Sequence, residues 1–455
     1  MRIRLLSLAV LVALAACGER DPATAPASGA SSASTAAAAA DDGATTHQEL
    51  AALFDEYWEA SLELNPLQAT FIGDPRYNDR LPNFLSAEHM EKSRRFEQQW
   101  LDRASAIDAE GLSEQDRISL EIFLRDRRNN LDGDRFPGEL IPLNQFWSFA
   151  AFAAVLGSGT SAQPFVTVQD YDNWLARAGQ LPVLFDQSIV NMREGMTKGI
   201  VQPKVLMEKV LPQLEAHIVE DVEKSVFWGP VAKLPEDASE ADRERLTAAY
   251  RALIAEQLVP AYTRLRDFVH DEYLPAARDT VGLSALPGGD EWYAFNVRSS
   301  TTTDMTPEQI HQIGLDEVAR IQGEMRAVMQ EVGFDGELKD FFKHLTTSKE
   351  FKFASEEALL ESYNGLRAQV EAGVPALFSR TPKAAFEIRP VEAFRAASQA
   401  GGSYQGPSED GTRPGIFYVN TYDLPSRKTW DMESLFLHEA IPGHHFQIAL
   451  AGRRC

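Results

Sequence analysis

The sequence has 455 residues, of which 44 are Lys or Arg and 67 are Asp or Glu, so the formal net charge is −23. This charge argues against nucleic acid as a partner, because binding to phosphates requires clustered basic side chains. The hydrophobic fraction of 44% is typical of a globular protein. Only two cysteines are present, Cys17 and Cys455, and their distance in sequence predicts no disulfide framework.

The first seventeen residues have the pattern of a lipoprotein signal peptide. Arg2 and Arg4 precede an apolar run at 5–14, which is too short to span a bilayer. The run ends in the sequence Leu-Ala-Ala-Cys at Cys17, which resembles the lipobox of bacterial lipoproteins, where the cysteine is lipidated. An ordinary secretory signal or a cytosolic start is the alternative. The glycine at Gly18 resembles outer-membrane sorting, so we expect a protein anchored by lipid in the outer membrane and facing the periplasm.

Residues 18–46 are mainly Ala, Ser, Thr, Pro, Gly and Asp. Such a segment cannot bury enough apolar surface to offset the entropy of ordering the chain. We therefore predict a flexible tether between the lipid anchor and the folded body. A short helix formed by the alanine run at 36–40 is the alternative.

Residues 47–455 are predicted to form one large domain, whose first part, 47–382, is helical. Apolar residues recur at three- and four-residue spacing from the start of this domain to Asn65, where the first helix is expected to end. The same spacing predicts helices over 87–107, 113–130, 169–196, 202–224, 240–273, 307–331 and 355–378. Thr306 and Gln309 are placed to form a capping box at the start of one of them.

Residues 383–455 are predicted to hold a small β-sheet that precedes a metal-binding helix, within a fold that is mainly α. Strands are indicated at 386–389 and 415–421, with a loop between them at 401–414. In the second strand Tyr418 and Asn420 share one face. If this strand is a sheet edge, these two side chains are candidates for contact with a peptide substrate. Ordinary packing within the sheet is the alternative.

The helix that follows contains a cluster of histidines. His438 and Glu439 begin a His-Glu pattern, in which the second zinc-binding histidine of a regular helix would occupy position 442. That position is Pro442. On an unbroken helix His444 would point about 120° away from His438, and His445 would lie ~10.5 Å along the axis.

A local bulge at Pro442 and Gly443 would solve this geometric problem by bringing one histidine back towards His438. His444 is the preferred ligand, and His445 is either a rival ligand or a group that supports the site or faces substrate. The alternative is a buried helix whose histidines only satisfy hydrogen bonds. The adjacent Glu439 favours a metal site.

The segment from His438 to Gln447 resembles the signature H-E-A-x-P-G-H-H-x-Q of the bacterial domain of unknown function 885 family. The segments at 301–311 and 413–421 also resemble this family. The resemblance implies a mostly helical body similar to zinc metallopeptidases of the gluzincin type. It implies one Zn²⁺ ion held by His438 and His444, with Glu439 as the general base that assists hydrolysis of a peptide substrate.

The family continues to a later E-G-W-A-L-Y-like helix, whose glutamate resembles the third zinc ligand, whereas this sequence ends at Cys455. Glu433 lies five residues before His438 and Asp431 about two turns away, so neither replaces it well. We therefore expect the third ligand to lie outside this chain and the 455-residue chain to have little or no peptidase activity. The alternative function is that of a non-catalytic envelope lipoprotein that binds or scaffolds.

Overall fold

The computed structural model describes residues 33–146, 148–408 and 411–451. The predicted signal peptide, Cys17 and the tether up to residue 32 lie outside these ranges. Over the described ranges, no helix combines the length and apolar character that are needed to span a bilayer.

The fold is mainly helical and contains one small sheet, which confirms the predicted fold class. Its α-helices are α1 (Ala33–Leu64), α2 (Pro66–Ile72), α3 (Ala87–Ser105), α4 (Glu114–Gly133), α5 (Phe149–Gly157), α6 (Val168–Ala178), α7 (Leu181–Lys198), α8 (Lys204–Glu215), α9 (Glu240–Ala252), α10 (Val259–Asp267), α11 (Leu274–Ala276), α12 (Gly289–Thr301), α13 (Pro307–Glu331), α14 (Leu338–Thr347), α15 (Glu356–Leu377), α16 (Ala393–Ala396), α17 (Met432–Glu439) and α18 (Gly443–Ala451). Two π-helical segments, Leu253–Leu258 and Phe268–Tyr273, join α9, α10 and α11 into one continuous run. The strands are β1 (Phe386–Pro390), β2 (Gly402–Gln405) and β3 (Gly415–Val419).

Several helices differ from their predicted bounds for identifiable reasons. The stretch predicted at 169–196 is two helices, because Pro182 has no backbone N–H and occupies the first turn of α7. The stretch predicted at 202–224 is helical only to the end of α8. Helix α1 begins at Ala33, so the alanine run assigned to the tether forms part of this 32-residue helix.

The capping box at the start of α13 is present as predicted. The Thr306 hydroxyl accepts a hydrogen bond from the Gln309 backbone N–H, and the Gln309 side chain accepts one from the Thr306 backbone N–H. These bonds satisfy two backbone groups that a helix start would otherwise leave unpaired.

Most of the apolar interior belongs to two separate cores. The larger core lies among α5 to α11, where Trp174, Phe185 and Tyr262 are fully buried. The second core joins α15, the sheet and α17 through Tyr363, Phe417 and related residues. Because α15 precedes residue 382, this second core crosses the boundary predicted between the helical part and the sheet.

The three strands pair in the order β1, β3, β2, with β1 parallel and β2 antiparallel to β3. The prediction that the 415–421 strand is a sheet edge is therefore wrong, since β3 is the central strand and all five of its residues are buried. The prediction of a continuous loop over 401–414 is also wrong, because β2 lies within it. The two edges of the sheet are formed by β1 and β2.

The sheet positions the helix that carries the histidines. Phe436 of α17 is fully buried, and its ring packs against Phe417 of β3 at a centroid distance of 5.9 Å. It also packs against Tyr363 of α15, at 6.3 Å. These contacts hold α17 against the sheet and α15. His438, two residues further along the helix, is exposed.

Candidate metal centre

The histidine motif is divided between two helices. Helix α17 ends at Glu439, residues 440–442 form a turn, and α18 begins at Gly443. Pro442 cannot donate a backbone hydrogen bond, which interrupts the helical pattern. The His445 N–H donates to the carbonyl of Ala440 at 3.0 Å, so the second helix is tied to the end of the first.

Gly443 is the close-contact point between the two helices. A Cβ atom at this position would lie 1.9 Å from the carbonyl oxygen of His438 and 2.4 Å from that of Leu437. Real Cβ atoms do not approach backbone this closely, so only glycine allows α18 to start where it does. The sequence motif therefore needs this glycine for steric reasons.

The break brings His438, Glu439 and His444 together. One potential ligand atom from each side chain lies within 4.8 Å of those of the other two. The His438 and His444 rings are 4.8 Å apart between centroids and almost perpendicular, and Nε2 of His444 lies 3.8 Å from Oε2 of Glu439. Two ligands of a tetrahedral zinc at ~2.0–2.1 Å are roughly 3.4 Å apart, so small side-chain rotations would close this set around an ion.

The three side chains differ in exposure. His438 is exposed, the His444 side chain is 38% exposed, and the Glu439 side chain is only 15% exposed. A carboxylate that is mostly buried beside two accessible imidazoles is suited to proton transfer within a small, partly dry site. In the described part of the chain, no other His, Cys, Asp or Glu joins this group.

His445, the rival ligand, points away from the cluster. It is 3% exposed, its Nε2 lies 3.1 Å from the carbonyl oxygen of Ala384, and its Nδ1 lies 2.6 Å from the hydroxyl of Tyr404. A carbonyl only accepts, so Nε2 carries the proton and Nδ1 accepts from Tyr404 in the neutral ring. Burial lowers the pKa of His445 and raises that of Tyr404. Both ring nitrogens are thus engaged in holding α18 against the sheet.

Gly415 makes room for this pair of side chains. A Cβ at Gly415 would lie 2.0 Å from the Tyr404 hydroxyl oxygen and 3.1 Å from Nδ1 of His445. Tyr404, on β2, also has its ring 6.4 Å from that of His444, in a nearly parallel orientation. No sequence pattern indicated a role for Tyr404, because it lies in the interval predicted as a loop.

Tyr418 and Asn420, the predicted substrate-facing residues, are both buried. Tyr418 is 5% exposed and packs on the sheet face opposite to Phe417, with the Arg395 guanidinium over its ring. Asn420 is 1% exposed, and its side-chain amide donates to the carbonyls of Ala396 and Gln399. Tyr418 faces the side of β3 opposite to Phe417, against which α17 packs, so contact of these two residues with a substrate stays a prediction.

A cleft beside the cluster was not predicted. His438 and Glu439 line it together with Arg427, Lys428 and Asp431, which precede α17. Desolvation raises the pKa of Asp431, while the nearby Arg427 and Lys428 act to lower it. Asp431 therefore belongs to the surroundings of the cluster, although it is not one of the three clustered donors.

Comparisons with known proteins give a family and a fold. The family model described as bacterial protein of unknown function, DUF885, matches residues 66–454. Among solved structures, the chain is similar to the crystal structure of a "putative lipoprotein" from Colwellia psychrerythraea, with a TM-score of 0.80 and 23% sequence identity. The match covers 90% of this chain and 73% of that chain, and at this identity it shows the fold alone. The search of curated proteins finds no match.

Proposed function

The chain belongs to the bacterial DUF885 family, and from this premise we propose that it is a zinc-dependent hydrolase of peptide bonds. The observation that carries the proposal is the convergence of His438, Glu439 and His444 across the break between α17 and α18. Two imidazoles next to a carboxylate are the donor set on which zinc hydrolases are built. A purely structural histidine cluster would give the Glu439 carboxylate no evident task.

In this proposal, His438 and His444 are the protein ligands of the ion, and Glu439 is the general base. When bound, zinc supplies Lewis acidity, which lowers the pKa of water at the site and polarises a carbonyl group. Glu439 accepts the proton of the attacking water and passes it to the leaving amine. Its limited exposure keeps the carboxylate in a fixed position for both transfers.

His445 and Tyr404 have a supporting role in this proposal. Their hydrogen bond and the bond from His445 to the Ala384 carbonyl hold α18 on the sheet, so the neighbouring His444 ring is held next to His438. Interactions that orient ligands in this way are often needed for full metal affinity.

The test is a zinc titration of the metal-free protein, with affinity measured by competition against a chelating dye. We expect one zinc ion per chain, and we expect His438→Ala and His444→Ala each to weaken binding by at least about 100-fold. His445→Gln should weaken binding less, since that ring binds the protein rather than the ion. His311→Ala is the matched control, because this histidine is exposed on α13, far from the motif in sequence.

Equal zinc affinity in His444→Ala and His311→Ala would refute the proposed ligand set. A larger loss in His445→Gln than in His444→Ala would transfer the second ligand to His445. If no variant affects zinc binding and the longest chain that the gene encodes cleaves no peptide, the protein is better described as a non-catalytic envelope lipoprotein.

We propose further that the protein is attached to the cell envelope through Cys17. The support is the Arg-led apolar run that ends in a lipobox-like sequence, together with the description of the structurally similar Colwellia protein. Mass spectrometry of the mature N-terminus is expected to find an acylated Cys17. A chain that starts at Met1, or at any residue after Cys17, would exclude this anchor.

A further inference from the structure

The cleft next to the metal cluster has a volume of about 490 Å³. This value is within the range of pockets that bind small molecules or a few residues of a peptide. Part of its wall is apolar, from Phe353, Leu359 and Leu435. Because His438 and Glu439 also line the cleft, a substrate held at the cluster has direct access to it.

Lys428 is a buried cation in the wall of this cleft. It is 5% exposed, and Nζ donates to the carbonyl oxygen of Pro425 at 2.6 Å. Within the described ranges, no carboxylate oxygen lies within 4.0 Å of Nζ. Lysines are almost never this buried unless an opposite charge pairs with them, because removing an ammonium group from water is costly. The ammonium group thus lacks the anionic partner that its burial calls for.

Arg427, the neighbouring cation, has unused hydrogen-bonding capacity. Its Nε is buried and has no hydrogen-bond partner, and one terminal nitrogen reaches only the Tyr422 carbonyl, at 3.4 Å. The other terminal nitrogen would lie 2.8 Å from a Cβ at Gly401, so this glycine leaves space for the guanidinium group. A guanidinium group with free N–H donors is well suited to bind a carboxylate.

Beside the cluster, the charged residues that line the cleft are mainly cationic. Asp431 faces both cations, but forms no ion pair within 4.0 Å with either in the described part of the chain. Outside the metal cluster, two cations therefore oppose one carboxylate among the residues that line the cleft. With Glu439 counted, the four formal charges that line the cleft balance, so the positive character belongs to the Arg427 and Lys428 pair.

We infer that Arg427 and Lys428 bind a carboxylate group of the peptide substrate in this cleft. The inference rests on the proposed function for the nature of the substrate, and it deepens that function by naming the substrate class. The apolar wall is suited to the hydrocarbon part of the same residue. A terminal carboxylate and an Asp or Glu side chain share this chemistry, and the experiment separates them.

Binding of uncleavable probes to the metal-free and the zinc-loaded chain tests the inference without requiring turnover. N-acetyl-phenylalanine is compared with its amide by calorimetry, and N-acetyl-aspartate α-amide is compared with N-acetyl-asparagine amide. We expect the carboxylate form to bind about tenfold more tightly than its neutral counterpart in at least one pair. The first pair reports a terminal carboxylate and the second an acidic side chain.

Arg427→Gln and Lys428→Met are each expected to remove most of this carboxylate preference. Arg389→Gln is the matched control, since Arg389 is half-buried on β1, pairs with Glu387 and does not line the cleft. Arg427→Lys should retain part of the preference, which separates loss of charge from loss of fold. Thermal melting of every variant identifies any that is not folded.

Equal binding of acid and amide, or a preference that survives both Arg427→Gln and Lys428→Met, would overturn the inference. Phenylalanine amide carries a free ammonium group, which N-acetyl-phenylalanine amide lacks. Tighter binding of the first compound would also overturn the inference, and would assign the cleft to an ammonium group facing Asp431. Carboxylate preference without any peptide cleavage by the longest chain that the gene encodes would refute the proposed hydrolase and leave the binding site intact. Cleavage without carboxylate preference would refute the carboxylate site and leave the proposed hydrolase intact.

Discussion

Replacing Glu439 with glutamine is expected to lower peptide turnover by about 10²–10⁴-fold, while the zinc content stays unchanged. Glutamine keeps the size of the side chain and a hydrogen-bonding oxygen, but it cannot accept the proton of the attacking water. The histidines that hold the ion are untouched. Turnover of a peptide library and zinc content by mass spectrometry, measured on the same samples, test both parts.

The control is Glu433→Gln, which changes an exposed carboxylate on the same helix and should leave turnover unchanged. The assay uses the longest chain that the gene encodes, because a catalytic zinc normally has three protein ligands, and among the described residues only two histidines and Glu439 cluster. Full turnover in Glu439→Gln would remove Glu439 from the mechanism. Loss of zinc along with turnover would instead make this carboxylate a ligand.

Gly443→Ala should damage the site through its backbone rather than its chemistry. The added Cβ would lie 1.9 Å from the His438 carbonyl oxygen, so α17 and α18 must move apart. We expect the free energy of unfolding to fall by about 1–3 kcal/mol, as for other overpacked positions. Zinc affinity should fall by at least about tenfold, because His438 and His444 lie on opposite sides of this contact.

Urea unfolding and the zinc competition assay measure the two effects of Gly443→Ala. Gly365→Ala is the matched control, because this glycine lies within α15 and a Cβ there would meet no atom within 4 Å. That change should leave zinc binding unaltered and stabilise the helix by about 1 kcal/mol at most. Unchanged stability and zinc affinity in Gly443→Ala would show that the helix junction is not tightly constrained.

Local sequence signals predicted much of the fold. The capping box of α13 and the strands near Phe386 and Gly415 depend on short-range patterns, and all are present. Strand order depends on pairing between distant segments, so the central position of β3 could not be read from its own residues. The break at Pro442 was predictable from its missing N–H, whereas the direction in which α18 continues depends on packing against Tyr404 and the sheet.

The ligand roles of His438 and His444 remain predictions. The sequence did not decide whether His444 or His445 is the second ligand, since a local bulge could bring either of them back towards His438. The hydrogen bonds of His445 to Tyr404 and Ala384 explain why it turns away, but both partners are more than 40 residues distant in sequence. The cations of the cleft were missed because Arg427 and Lys428 follow no recognisable motif.

The separation of the two cores has a consequence for cooperativity. The core around α5 to α11 and the core of α15, the sheet and α17 share no buried residue, so local opening of one need not open the other. An ion held by the helix pair stabilises only conformations in which that pair is ordered, and its binding free energy is therefore concentrated in the smaller core. Backbone amides of the sheet, α17 and α18 would exchange more slowly with solvent when metal binds, while those around Trp174 and Tyr262 would exchange at their former rate.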